Sequence, residues 1–368
     1  MRLNPVEAEV DPAPARPVRP TAPGPRELPF LGSLIPLVRD PLGFMSELHR
    51  VHGPYARFSV GPDRYLAVAH PDALRHVFVD HADRYVKGAG FDGIRQVLRS
   101  GLLTSDGERW LTRRKLAQPS FAPDRLAASI PAIDAAIAAA HDQWEAAAEI
   151  DLYEALVALT VDVVGRTLFA APLADRVPAM RQATTDAMAF AWSYANEPVR
   201  LPLWLPTPGR LRFRRAMATL DALAGELADG PSELLRALAV EGPDAVRDEL
   251  LTMLLAGHET TAATLTFAFA AVLPRRDLVE RLAADGDALP AAPTPGEIHR
   301  MTTSAAVFYE TLRLWPAVWF IERRAVAADE VAGHPVPAGG QVGVSPWAIH
   351  RDPARWPDPE RFDPDRFG

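Results

Sequence analysis

Apolar residues recur at helical spacing between positions 71 and 273, in Ala-rich segments that Pro and Gly interrupt. This periodicity is typical of amphipathic helices. It predicts helices at 71–80, 107–117, 124–148, 151–169, 174–196, 210–229 and 244–273, with a further helix at 297–314. One more amphipathic segment, 41–52, is closed by Gly53-Pro54. Helices are therefore expected to dominate the fold.

Two other regions have the pattern of strands. Tyr55–Val60 and 64–68 alternate apolar and polar residues around Gly61-Pro62-Asp63, which is typical of a β-hairpin. Residues 326–344 are broken by Gly and Pro and predict short strands and turns. The expected fold class is mainly α, with small β sheets at the two ends of the sequence.

The segment 244–273 is the most informative of the predicted helices, since it contains polar residues inside an apolar run. Ala256-Gly257-His258-Glu259-Thr260-Thr261 places an acid and an alcohol side by side there. Burying a carboxylate costs several kcal/mol unless it is paired or used. Glycine in a helix interior costs about 1 kcal/mol relative to alanine. Glu259 and Thr260 are therefore predicted to be a buried pair in a pocket wall that delivers protons.

Composition limits the class of protein further. The 368 residues are 48% hydrophobic and carry a net charge of −8, without a block of basic residues, which argues against a nucleic-acid partner. No apolar run approaches the about 18 residues of a membrane span, and 1–29 lack the apolar core of a signal peptide. We therefore expect a cytoplasmic protein without a membrane contact. Residues 1–25 are expected to be a disordered Pro-rich leader, and 26–368 a single domain.

Two motifs resemble known sites but lack their context. Gly88-Ala89-Gly90-Phe91-Asp92-Gly93 matches G-x-G-x-x-G, yet no βαβ unit surrounds it, so a flexible loop that lines a pocket is predicted. His258-Glu259 begins a zinc-protease motif, but Ala262 stands where that motif needs a second histidine.

Two further pairs have the spacing of one helix face. Glu310 and Arg313 lie at i, i+3 among apolar residues, and 356–362 could supply backbone carbonyls to the guanidinium. Trp110 and Arg114 lie at i, i+4. They are either a surface Trp beside a salt-bridging Arg or two donors that bind one acidic ligand group.

Taken in order, these motifs resemble the cytochrome P450 family over nearly the whole chain. The resemblance begins at Pro23-Gly24-Pro25 and includes 110–114, 256–261 and 310–313, then Ile349-His350-Arg351-Asp352-Pro353 and Pro359-Glu360-Arg361-Phe362. It implies the mostly α fold of that family, with haem b between the central helix and the C-terminal part. It also implies a monooxygenase that inserts one oxygen atom of O2 into a hydrophobic small molecule, such as a fatty acid, terpenoid or polyketide.

The resemblance also implies a role for each matching residue. Ala256 and Gly257 would form the oxygen-binding groove, and Glu259 and Thr260 would relay protons during oxygen activation. The donors expected to bind the haem propionates are Trp110, Arg114, Arg323 (with Arg324 as the alternative) and, as a weaker candidate, His350. The residues expected to form a structural triad are Glu310, Arg313 and Arg361. A ferredoxin and a ferredoxin reductase would supply the electrons.

The pattern of the family is not complete. The cysteine whose thiolate binds the haem iron follows the 359–362 motif in this family, and the present sequence contains no cysteine. We therefore expect a C-terminally incomplete P450 domain that lacks the cysteine loop and the following helix, provides no axial metal ligand and is inactive alone. The alternatives are a haem-free P450-like helper that stabilises a partner enzyme, and a degraded gene product.

Overall fold

The computed structural model describes residues 22–196 and 204–368, and helices make up most of these two ranges. The α-helices are α1 (Leu34–Arg39), α2 (Pro41–His52), α3 (Pro71–Arg75), α4 (Phe91–Leu98), α5 (Gly107–Ala117), α6 (Pro123–Ala146), α7 (Leu152–Val164), α8 (Val177–Asn196), α9 (Pro208–Ala228), α10 (Glu233–Leu238), α11 (Pro243–Val272), α12 (Arg276–Asp287), α13 (Pro295–Ile298), α14 (Thr302–Leu314) and α15 (Pro346–Ile349). Single π-turns extend α3 over His76–Asp80 and α7 over Gly165–Phe169.

The strands lie in two groups. They are β1 (Tyr55–Val60), β2 (Asp63–Val68), β3 (Tyr85–Lys87), β4 (Ile321–Ala325), β5 (Asp329–Val331), β6 (His334–Val336) and β7 (Gln341–Val344). Five of them form one sheet in the order β1-β2-β7-β4-β3, in which β2 and β7 are parallel and the other pairs antiparallel. β5 and β6 form a separate antiparallel pair.

The mainly α fold with small sheets is confirmed, but the placement of the sheets differs from the prediction. The strands of the two sequence ends do not form separate sheets: β7 inserts between β2 and β4 and joins both ends into one. Residues 297–314 form two helices instead of one, because the chain leaves helical conformation between Ile298 and Thr302. The second half of the predicted flexible loop at 88–93 belongs to the helix α4, which begins at Phe91.

α11 crosses the centre of the molecule, as its apolar pattern predicts. Pro243 occupies its first turn, where a missing N–H is not needed, and the preceding Gly242 turns the chain with φ +94°. Leu250, Leu251 and Leu254 are fully buried in the largest apolar core, together with side chains of α7, α9 and α10.

The end of the predicted leader packs on the sheet. Ala22 is buried, and the Arg57 N–H of β1 donates to the Pro23 carbonyl at 2.8 Å. A Cβ at Gly24 would lie 2.2 Å from the Arg57 carbonyl oxygen, so only glycine permits this approach. The rest of the leader, 1–21, lies outside the described residues. Within the described ranges, every helix is too short or too polar to cross a bilayer.

Candidate active site

The middle of α11 turns its small and polar residues toward an uncovered face. Ala256 and Thr261 are exposed and Thr260 is half-buried. The Thr260 hydroxyl donates to the Ala256 carbonyl at 2.8 Å, and the Thr261 hydroxyl donates to the Gly257 carbonyl at 3.0 Å. These bonds satisfy the hydroxyl protons within the helix and leave the oxygen lone pairs of both threonines facing outward.

Glu259 is not buried, which corrects the prediction. Its side chain is exposed near Tyr153 at the start of α7, where burial and then the Glu259 charge raise the pKa of the phenol. The apolar run of α11 gave no sign of this, because a run of apolar residues does not show which side of a helix is covered.

Gly257 and His258 pack against α7. A Cβ at Gly257 would lie 2.8 Å from Val164 Cγ2, closer than side chains tolerate, so the glycine permits close contact between the two helices. His258 is buried with Nδ1 2.5 Å from the Leu254 carbonyl oxygen, and its own carbonyl accepts from the Thr160 hydroxyl at 3.2 Å. Ala256 and Thr260 are therefore the members of this motif that face away from α7.

Trp110 and Arg114 lie on the same face of α5, as their spacing predicts. The Arg114 guanidinium carbon is 5.1 Å from the centre of the Trp110 ring, and the Lys87 ammonium nitrogen is 5.7 Å from it. Arg114 is exposed and forms no ion pair with another described residue. Lys87 is held by the Ser105 carbonyl and by Asp106, 3.5 Å away.

Arg323 joins this cluster through the sheet. In the β3–β4 pair Lys87 lies opposite Arg323, so both side chains extend from the same face, whereas Arg324 points to the other. Burial lowers the pKa of Arg323, whose guanidinium donates to the Glu322 carbonyl at 2.8 Å and lies 4.9 Å from the Phe78 ring. Of Arg323 and Arg324, Arg323 is therefore the residue that lies beside Lys87.

Lys87 was missed by the sequence reasoning. It precedes the glycine motif as a single basic residue, and no helical spacing connects it with Trp110 or Arg114. Its place depends on the pairing of β3 with β4, strands more than 230 positions apart along the chain. A pattern of local periodicity contains no information on such a pairing.

Glu310 and Arg313 form the most buried ion pair of the region. Arg313 binds both oxygens of Glu310 at 2.6 and 2.8 Å and donates to the carbonyls of His350, Pro359 and Arg361 at 2.9, 2.7 and 3.0 Å. The predicted backbone partners in 356–362 are thus present. The pair fastens the 350–361 segment, which we call the meander, to α14.

Arg361, the third member of the predicted triad, contacts Arg313 only through its backbone carbonyl. The Arg361 side chain is 68% exposed and lies 3.9 Å from Asp363. Arg366 takes the place beside the acid, with Nε 3.6 Å from Glu310 Oε1. Sequence reasoning missed Arg366, because a short 3₁₀ turn at Pro364–Phe367 brings it back toward α14.

His350 belongs to the meander anchor. Its carbonyl accepts from Arg313, its ring lies 6.4 Å from Trp356, and burial lowers its pKa. Nδ1 is buried without a partner among the described residues. None of these contacts connects His350 with the cluster of Lys87, Trp110, Arg114 and Arg323.

Two acids on the first turns of α11 hold the α4–α5 turn, and the sequence reasoning did not identify them. Asp248 accepts from the Ser100 N–H and Glu249 from the Leu102 N–H, both at 3.1 Å. The buried Arg113 lies 3.4 Å from Glu249 and donates to the Ser100 carbonyl at 2.5 Å. Of these two neighbouring arginines, Arg113 is thus bound within the fold, whereas Arg114 forms no ion pair with another described residue.

Comparison with known proteins shows the family of the chain. The family model for cytochrome P450 matches residues 22–235 and 242–368, and the chain belongs to the cytochrome P450 family. It is 32% identical over 366 residues to cyclooctat-9-en-7-ol 5-monooxygenase of Streptomyces melanosporofaciens, covering 94% of this chain and 79% of that protein. Cyclooctatin synthase of the same organism is 30% identical, covering 93% of this chain and 79% of that protein. Pentalenene oxygenase of Streptomyces avermitilis is 27% identical, covering 94% and 80%.

Proteins of this family depend on haem, and the donors present fit its carboxylates. Three donors for anionic groups lie here: Arg114, which forms no ion pair with another described residue, the Trp110 indole, and the half-buried Arg323 beside Lys87. The thiolate that binds iron in this family is not supplied by these 368 residues, none of which is cysteine. In the described ranges no cluster of three or more His, Cys, Asp or Glu residues could hold a metal ion.

Proposed function

We propose that this chain provides the substrate pocket, the propionate contacts and the proton relay of a haem-dependent monooxygenase that inserts one oxygen atom of O2 into a terpene. The observation that carries the proposal is the group of donors at Lys87, Trp110, Arg114 and Arg323. It contains three cations, and the acids that interact with them are Asp106 and Glu322. The terpene class is supported by the names of the relatives, among them pentalenene oxygenase.

Haem, when bound, supplies the iron at which O2 is reduced. The protein's part is to hold its carboxylates. Arg114 and Lys87 both provide positive charge beside the Trp110 ring, and the indole N–H is a further donor. Arg323 adds a guanidinium whose partial burial strengthens its attraction to a carboxylate.

The proton path that we propose uses two neighbouring residues of α11. Glu259 is exposed and can take up protons from water. Thr260 Oγ1 donates to the Ala256 carbonyl at 2.8 Å and retains lone pairs that can orient a water molecule in the pocket. Ala256 has only a methyl group, which leaves room on this face of the helix.

One aromatic residue of α8 belongs to the apolar core and not to the proposed pocket. Phe190 is buried and stacks on Phe213 with ring centres 4.1 Å apart, so it is core. Val318 is exposed, and Ala317 next to it is exposed too, after the end of α14. These two residues and the uncovered side of α11 support a hydrophobic ligand.

In the same proposal a ferredoxin and its reductase deliver the electrons in the cytoplasm. The bacterial origin of the three relatives supports this choice. The helper alternative has no such support, because two of those relatives have oxygenase names.

Haem titration of the purified chain tests the donor cluster. Binding is followed by quenching of tryptophan fluorescence, with Lys115→Ala as the matched control on the exposed side of the same helix. Loss of one charge-assisted hydrogen bond is worth about 1.5–3 kcal/mol, so Arg114→Ala should weaken haem binding by about 10- to 100-fold. Equal affinities of Arg114→Ala and Lys115→Ala would contradict the proposal.

Turnover tests the rest of the proposal. The haem-loaded chain is supplied with ferredoxin, reductase, O2, pentalenene and an added small thiol as a source of thiolate. The expected product contains one additional oxygen atom that derives from O2, and Thr260→Ala should consume oxygen with less product. If pentalenene neither reacts nor binds, the terpene assignment is wrong.

A further inference from the structure

The glycine motif at 88–93 is not explained by any step of the proposed reaction. Gly90 has φ −62° and ψ −23°, and Gly88 has no positive φ, so other residues could adopt both conformations. The space around them explains the glycines instead. A Cβ at Gly90 would lie 2.5 Å from Glu322 Oε1, and a Cβ at Gly88 would lie 2.7 Å from Glu322 Cγ. Both glycines make room for one acid.

Glu322 is a buried carboxyl group that forms no close ion pair with another described residue. The residue is 7% exposed, and it interacts with the acids Asp63 and Asp92, the hydroxyl of Tyr65 and, electrostatically, the guanidinium of the next residue, Arg323. The Gly90 N–H and the Tyr65 hydroxyl donate to it. Burial raises its pKa. An apolar residue at this position of β4 would avoid the free-energy cost of burying an acid. The presence of an acid with two hydrogen bonds therefore calls for an explanation.

The helix that begins directly after Gly90 provides this reason. α4 starts at Phe91 and packs so closely on α8 that a Cβ at Gly93 would lie 2.0 Å from the Ala191 carbonyl oxygen. Its other end is fixed to α11, where Asp248 binds the Ser100 N–H. Carboxyl groups from β4 and from α11 therefore hold the chain at the two ends of α4.

We propose that Glu322 is a positioning residue with two effects. First, it fixes the N-terminal end of α4. Second, it thereby sets the distance between α4 and α11, and this distance limits the size of the terpene that can bind. The second half rests on the proposed function, since it requires α4 to be a wall of the substrate pocket. The first half does not, because it concerns only the contact between Glu322 and the Gly88–Gly90 turn. Lys87 directly precedes this turn, so the same contact also fixes one of the proposed propionate donors.

Hydrogen exchange of the haem-free chain tests the first half. Glu322→Ala removes the acceptor of the Gly90 N–H and should accelerate exchange in 88–98 by about tenfold or more. Glu322→Gln keeps an acceptor of the same shape and should restore slow exchange. Arg324→Ala, two positions further on β4, is the control and should leave 88–98 unchanged. Faster exchange throughout the protein in Glu322→Ala, or no rescue by Gln, would show that Glu322 only supports the fold and would overturn the proposal.

A double-mutant cycle tests the steric argument on the same chain. Gly90→Ala should lower the thermal midpoint in the wild-type background, because the new methyl group meets Glu322 Oε1. In the Glu322→Ala background the same change should be neutral or should raise the midpoint, since alanine reduces the entropy of the unfolded chain. Equal effects of Gly90→Ala in both backgrounds would overturn the proposal.

Ligand binding tests the second half and separates it from the proposed function. Pentalenene affinity of Glu322→Ala is compared with that of the wild type by calorimetry. A weaker affinity together with a loosened 88–98 segment supports α4 as a pocket wall. An unchanged affinity with a loosened segment overturns that assignment while the positioning role stands, and failure of wild type to bind pentalenene overturns the terpene assignment alone.

Discussion

Removal of the Arg313 guanidinium should detach the meander from α14. Arg313 is 2% exposed and Glu310 is fully buried, so neither charge is screened by water. One side chain donates to both oxygens of the acid and to three backbone carbonyls of the meander. Its guanidinium carbon also lies 5.2 Å from the Trp356 ring. Arg313→Ala therefore removes five hydrogen bonds and a stacking contact at once.

The magnitude depends on the groups that remain around Glu310. Loss of one partner of a buried ion pair costs about 3–5 kcal/mol, because the other charge stays buried. Here the Asp363 N–H at 2.7 Å and Arg366 at 3.6 Å still face the acid, so the lower end, about 3 kcal/mol, applies to Glu310. The three carbonyls lie on a partly exposed segment that water can reach, which adds about 0.5–1.5 kcal/mol for each lost bond. The free energy of unfolding should therefore fall by about 4.5–7.5 kcal/mol.

Urea unfolding measures this loss, and hydrogen exchange of 349–363 locates it. The matched control is Arg276→Ala, which breaks an i, i+4 pair with Glu280 of similar length, 2.8 Å, at a site where Arg276 is 92% exposed. That change should cost about 0.5 kcal/mol or less. Replacing both buried charges, in Glu310→Leu/Arg313→Met, should cost less than Arg313→Ala alone. If Arg313→Ala were no more destabilising than Arg276→Ala, the assignment of the pair as the meander anchor would be refuted.

The same pair illustrates what the sequence could predict. Both residues lie on one helix, so the 3.6-residue period was enough to place them together. The burial of the pair followed from its apolar neighbours. The role of Arg361 could not be predicted in this way, because its exposed side chain takes no part and only its carbonyl accepts a hydrogen bond from Arg313. Nor could that of Arg366, which reaches Glu310 through a turn that no periodic pattern describes.

The fold as a whole shows the same division between local and distant information. Helices such as α2, α5 and α11 agree with their predicted bounds within about two residues, since their apolar spacing and their Pro and Gly boundaries are local signals. The sheet is assembled from strands at both ends of the chain, and the insertion of β7 between β2 and β4 has no local signal. Resemblance to a family supplied the overall fold; periodicity alone did not.

Glu259 and Gly257 were selected from the sequence for a physical reason that the structure does not support. The motif was selected because an acid and a glycine both disfavour a buried helix. In the structure the acid is exposed, and the glycine is required by the approach of Val164. A helix with one covered and one open face can place Gly257 in close contact with α7 and still leave Glu259 exposed. The apolar residues in the sequence do not reveal which face of the helix is open.

Two further predictions concern packing and pH. Gly257→Ala should destabilise the protein by about 1–2 kcal/mol despite the better helix propensity of alanine, because the new methyl group meets the stiff Val164 side chain. Val164→Ala should rescue this loss in the double mutant. Equal urea midpoints of Gly257→Ala and wild type would contradict the argument. Asp329 provides the pH prediction. Burial alone would raise its pKa, but hydrogen bonds from His76 at 2.8 Å and Tyr85 at 2.7 Å outweigh burial and lower the pKa to about 2. A carboxyl group with a lowered pKa stabilises the fold fully above its unfolded value of about 3.9, and this contribution disappears as the pH falls through about 2. Asp329→Asn should therefore lower the thermal midpoint at about pH 6 and much less at about pH 2, and a loss of the same size at both pH values would show that the charge of Asp329 does not stabilise the fold.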